Sequence, residues 1–145
     1  MTRVLLLVPV CLALSVSACN NSTNTTSPTP ATPSLTETFS GVVQPGMSDA
    51  HNFTVTQAGE VDVTLTSAVM NTAAGPLATI QMGVGIGSPT ATTCPAPLAF
   101  GSVIVSAGPN IAGSIIANAG TYCIDVFDVG NQSGPVTYTV TVAHP

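Results

Sequence analysis

Val136, Tyr138, Val140 and Val142 alternate with Thr137, Thr139 and Thr141. Side chains two residues apart leave one side of an extended backbone, and those between them leave the other. Such a stretch can bury one complete face only as a β-strand; a helix would scatter the same apolar residues around its circumference. The pattern recurs. Phe53 and Val55 alternate with Thr54 and Thr56, and Val61, Val63 and Leu65 alternate with Glu60, Asp62, Thr64 and Thr66. Threonine suits the outer face twice over, because its β-branch fits the pleat and its hydroxyl binds water. A chain with only 5% charged residues can be wetted in this way.

Glu37–Val43, Ala78–Ile86, Gly101–Ser106, Ile111–Ala117 and Gly120–Phe127 read as further strands. Turn chemistry separates them at Gln44-Pro45-Gly46, Gln57-Ala58-Gly59, Gly87-Ser88-Pro89, Ala107-Gly108-Pro109 and Asn118-Ala119-Gly120. No segment carries a helical apolar stripe. About eight short strands between residues 36 and 145 predict an all-β domain, an antiparallel two-sheet β-sandwich of jelly-roll type.

Residues 1–18 follow another rule. Arg3 precedes an apolar run from Val4 to Val16, and small residues follow. That is the layout of a signal peptide. As a helix the run would measure roughly 20 Å, short of the roughly 30 Å hydrocarbon core, so a permanent membrane span is the weaker reading. Val16-Ser17-Ala18-Cys19 resembles a bacterial lipobox. The resemblance implies cleavage before Cys19, lipidation of its thiol and a membrane anchor. Asn20, where an Asp would favour retention at the inner membrane, directs the expectation to the outer membrane. Residues 19–35 then form a tether rich in Ser, Thr, Asn and Pro, too poor in apolar surface to offset the entropy of ordering.

Arg3 is the one basic residue of the chain, against six acids and two histidines. Once the leader is removed no Lys or Arg remains. Nucleic acid is excluded as a partner, since neutralising phosphates requires cations.

Cys94 and Cys123 are the cysteines of the domain, and export to an oxidising compartment makes a disulfide the expected pairing. Asp49 and His51 share a face by alternation, with Ser48 beside them, but adjacency does not make a catalytic triad. Glu60, Asp62, Asp125 and Asp128 are the candidates for a calcium site, with solvated acids as the plainer reading. Gly83-Val84-Gly85-Ile86-Gly87 lacks the strand–turn–helix context of a nucleotide loop, so these glycines are expected to allow close packing or a bulge. Both tyrosines fall on inward positions. Phe127 falls outward with Cys123 and Asp125. His144 lies where chains often fray.

Phe39-Ser40-Gly41, Asp49 leading into Phe53-Thr54-Val55, and Gly59 before Val61, Val63 and Leu65 resemble the first half of a bacterial pre-peptidase C-terminal domain. Gly120-Thr121-Tyr122, then Ile124 and Val126, and Tyr138-Thr139-Val140 resemble the second half. The resemblance covers about Glu37 to Val142. It implies a β-sandwich of the kind usually appended to exported enzymes, with relatives that bind collagen, polysaccharide or calcium. No catalytic segment is expected beside the match. The expected function is a non-enzymatic, lipid-anchored module of the cell envelope, structural or protein-binding. The alternative is a calcium-assisted module for an extracellular protein or polysaccharide.

Overall fold

A computed structural model describes residues 29–78, 80–90, 93–95 and 102–145. The expected leader, Cys19 and most of the tether lie outside the described residues. Among the described residues nine strands follow in order: β1 (Leu35–Val43), β2 (Ser48–Val55), β3 (Gly59–Thr72), β4 (Gly75–Leu77), β5 (Gln81–Gly87), β6 (Ser102–Ser106), β7 (Gly113–Ala117), β8 (Gly120–Phe127) and β9 (Val136–His144).

They form two sheets. One has the order β1-β9-β3-β4, with β7 also pairing β3; the other runs β2-β8-β5-β6. Every strand pair is antiparallel. With the three-residue β4 set aside, the first strand pairs the last and the second pairs the last but one. That is the wrapping of a jelly roll, and the expected sandwich is what forms.

The alternation read from the sequence builds the core between the sheets. Val61, Val63 and Leu65 of β3 and Val136, Tyr138, Val140 and Val142 of β9 are all buried. They face Met82, Val84 and Ile86 of β5 and Ile124 and Val126 of β8, which are buried too. Each such aliphatic side chain contributes up to roughly 1.5–3 kcal/mol on leaving water. The threonines between them, at 137, 139 and 141, stand on the other face of the sheet, exposed or half-buried.

Three details depart from the sequence reading. β3 continues to Thr72 because a bulge between Leu65 and Ser67 shifts the alternation, after which Ala68 and Met70 resume the inward face. The strand expected from Ala78 begins at Gln81, and the one expected from Ile111 begins at Gly113. The short β4 escapes any periodicity; it is made by a turn in which Gly75 adopts a φ of 115° and the Thr72 hydroxyl donates to the Gly75 carbonyl at 2.7 Å.

Both ends of the described chain are held. The body begins before residue 36: β1 starts at Leu35, and Ala31 already bridges Gly59, donating to the Ala58 carbonyl and accepting from the amide of Glu60. His144, expected to fray, is fully buried. β9 lies between β1 and β3, so its last residues are paired on both sides. The His144 ring packs against Phe53 with centroids 5.5 Å apart, and its Nε2 lies 2.9 Å from Oε1 of Glu37.

Candidate functional site

β5 carries the run Gly83-Val84-Gly85-Ile86-Gly87 in extended form. Val84 and Ile86 enter the core, so the glycines present bare backbone to the outer face of the sheet. On one side they are opposed by β8, pairing Gly83 with Phe127, Gly85 with Asp125 and Gly87 with Cys123. On the other side β6 sets Ile104 opposite Gly83 and Ser102 opposite Gly85. A strand without side chains between two that have them is a trough.

Its two ends are closed differently. The Phe127 ring lies over Gly83, where any Cβ would fall inside it. At Gly87 the Cys94–Cys123 disulfide forms the other end, with Cα atoms 5.7 Å apart; a Cβ there would stand 3.0 Å from the Cys94 sulfur and 2.8 Å from the Pro95 carbonyl oxygen. The expected bridge is therefore present and sets one wall. Between the ends remains a cavity of about 250 Å³, lined by Gly85, Gly87, Cys94, Ser102, Asp125 and Phe127, with Ile86 between the two glycines.

Asp125 gives the trough its polarity. Burial pushes its carboxyl above the usual carboxylate range; the Ser48 hydroxyl opposes that, and the nearby charge of Asp49 reinforces it. Its Oδ1 is buried with no hydrogen-bond partner among the described residues. Asp125 was expected on the outer face with Phe127 and Cys123, and it is there. What the sequence did not disclose is that the glycines of β5 run alongside all three, with Ser102 across from them.

Asp49 and His51 share one face of β2, as expected; it is the inward face, with Phe53 and Val55, and Ser48 points to the opposite one. The group that joins the pair is Tyr138 of β9. Its hydroxyl donates to Asp49 Oδ2 at 2.8 Å and lies 2.7 Å from His51 Nε2. With its single proton committed to the carboxylate, the phenol oxygen accepts, so Nε2 carries the hydrogen that His51 donates. Burial and the bonded, charged Asp49 drive the Tyr138 hydroxyl far above its ordinary range, and it stays a phenol. Phe39 stacks on the His51 ring at 5.0 Å. This is a closed network with the imidazole already engaged, and among the described residues no serine or threonine hydroxyl is hydrogen-bonded to it.

The four calcium candidates are dispersed. Glu60 and Asp62 stand on the outer face of the first sheet, where Ser114 donates to Glu60 Oε1 at 3.1 Å. Asp125 is in the other sheet. Asp128 follows β8 and accepts from the amides of Gly46, Gly130 and Asn131 at 2.8, 2.8 and 3.2 Å. Slight burial would raise its carboxyl, but these amides and that of Gln132 outweigh it and hold the group below the usual range. Among the described residues no three His, Cys, Asp or Glu side chains gather as metal ligands.

No family model matches the chain, and no curated protein matches it either.

Proposed function

We propose that this protein is a non-enzymatic binding module of the bacterial cell envelope, lipid-anchored through Cys19 at the outer membrane, that engages a partner through the trough of its second sheet. The observation that carries this reading is the trough itself. Its floor is fixed by ladders on both sides of β5 and one end is pinned by a disulfide, so its described walls are held in place before a ligand arrives. The closed Asp49–Tyr138–His51 network favours a structural use for the residues that a hydrolase would need. The lipobox-like Val16-Ser17-Ala18-Cys19 supports the anchor, and two or three acyl chains, at about 0.8 kcal/mol per buried methylene, hold a protein stably on a bilayer. The motif order similar to pre-peptidase C-terminal domains favours the same role.

Two measurements test it. Metabolic labelling with an alkynyl fatty acid should mark the wild type and leave the Cys19→Ser variant unmarked. A photo-crosslinking residue at Ser102 should give a discrete adduct in living cells, while one at Thr64, on the outer face of the other sheet, should not. Equal adducts from both positions, or none from Ser102, would reject the trough as the binding face.

A further inference from the structure

We propose that the trough receives one basic side chain of a partner protein, a lysine whose ammonium meets Asp125 and whose stem lies along Gly85 between Phe127 and the Cys94–Cys123 bridge. The inference rests on the binding-module reading and names the chemistry of its ligand.

Size comes first. A cavity of about 250 Å³ is smaller than the roughly 300–1,000 Å³ of pockets that enclose drug-sized ligands. It suits one side chain.

Charge narrows the choice. Asp125 lines the cavity, and its buried Oδ1 lacks a partner among the described residues. A desolvated carboxylate without a counter-charge is costly. Residues 29–145 contain no Lys or Arg, so the chain has no cation of that kind to supply from within the described body. The partner must bring it. The torsion that turns the carboxylate is soft and nearly two-fold, so either oxygen can face the arriving ammonium. A neutral sugar would donate hydrogen bonds but leave the charge uncompensated.

The walls fit the rest of a lysine. Its alkyl stem can bury along the bare backbone of Gly85 and the disulfide while its head seeks the carboxylate. Phe127 offers an aromatic ring at one end, and a cation within about 6 Å of such a face is attracted to it. The acidic balance of the whole chain, six acids against one Arg, steers a basic partner inward.

The test uses the full chain in zwitterionic micelles, isotope-labelled, and follows the backbone amide shifts of Gly83, Gly85, Gly87 and Asp125. The probes are a blocked Gly/Ser peptide with one central lysine, its norleucine and acetyl-lysine counterparts, and methyl glucoside. The lysine peptide should give saturable shifts at these amides, with both neutral counterparts weaker by roughly tenfold or more. Asp125→Asn should abolish the preference for lysine without lowering the melting temperature, and Phe127→Leu should weaken it. Equal binding of the norleucine peptide would overturn the proposal and leave an apolar slot. Saturable shifts with the glucoside and none with lysine would overturn it in favour of a sugar subsite, with the binding-module reading intact. No shift with any probe would also overturn it, while that reading would still stand or fall on the Ser102 cross-link.

Discussion

The phenol of Tyr138 reaches from one sheet to the other and donates a 2.8 Å hydrogen bond to Oδ2 of Asp49. The same oxygen accepts a hydrogen bond from His51 Nε2–H, so removing it leaves a carboxylate and an imidazole without their shared partner. Tyr138→Phe should lower unfolding free energy by about 1–2 kcal/mol, toward the low end for losing a bond to a charged group because Asp49 is one-third exposed. Tyr122 provides the control: its hydroxyl donates to the Asn118 carbonyl at an exposed site, and Tyr122→Phe should cost no more than about 0.5 kcal/mol. Urea denaturation of both variants checks the contrast.

Gly83 is held to glycine by the ring of Phe127 above it. Gly83→Ala should destabilise the domain by about 1–3 kcal/mol, as overpacking does. The obstacle is one ring, so adding Phe127→Leu should recover part of the loss. A double variant no better than the sum of the two single ones would show that the backbone of β5, and not the ring, resists the methyl group.

Cys94 and Cys123 are 29 residues apart in sequence, and opening a loop of that length should cost roughly 3–4 kcal/mol. The reduced protein should unfold at correspondingly lower urea concentration. Under native conditions the amide of Gly87, which pairs with Cys123, should exchange faster than that of Gly83 at the far end of the same strand.

Asp125 and Asp128 predict opposite responses to acid. Asp128 is held low in the folded state, so its contribution is present above the unfolded value of 3.8 and is lost as pH falls through the folded one. Asp125 is raised, so the folded protein keeps that proton after the unfolded chain has released it; Asp125 opposes folding at neutral pH, and the opposition disappears on acidification. Asp128→Asn should therefore flatten the loss of melting temperature between neutral pH and pH 3. Asp125→Asn should steepen that loss while raising the melting temperature at pH 7.

The sandwich was legible because threonine and valine alternate with a period that no other element can use. The bulge between Leu65 and Ser67 marks where legibility ends within a strand: one extra residue reverses which side chains face inward, and the alternation beyond it reads as noise. The trough was half legible. Gly83, Gly85 and Gly87 state that one face of a strand is bare, and Cys123, Asp125 and Phe127 state that another strand has a mixed outer face. The expected Cys94–Cys123 bridge brings the loop after β5 toward β8, but neither stretch says that Gly85 stands against Asp125, which only the long-range ladder sets. The burial of His144 is illegible for a related reason. Its place near the C-terminus suggested fraying, but topology sets β9 in the middle of its sheet.

The pairing of β1 with β9 along the whole of both strands, from Leu35 against His144 to Val43 against Val136, has a mechanical meaning. Tension entering from the N-terminal side and directed along β1 loads that ladder in shear, so its bonds share the force and must yield together. Before it does, the bonds of Ala31 to Ala58 and Glu60 take the strain as a small sacrificial link. A body hung by this end would be hard to peel.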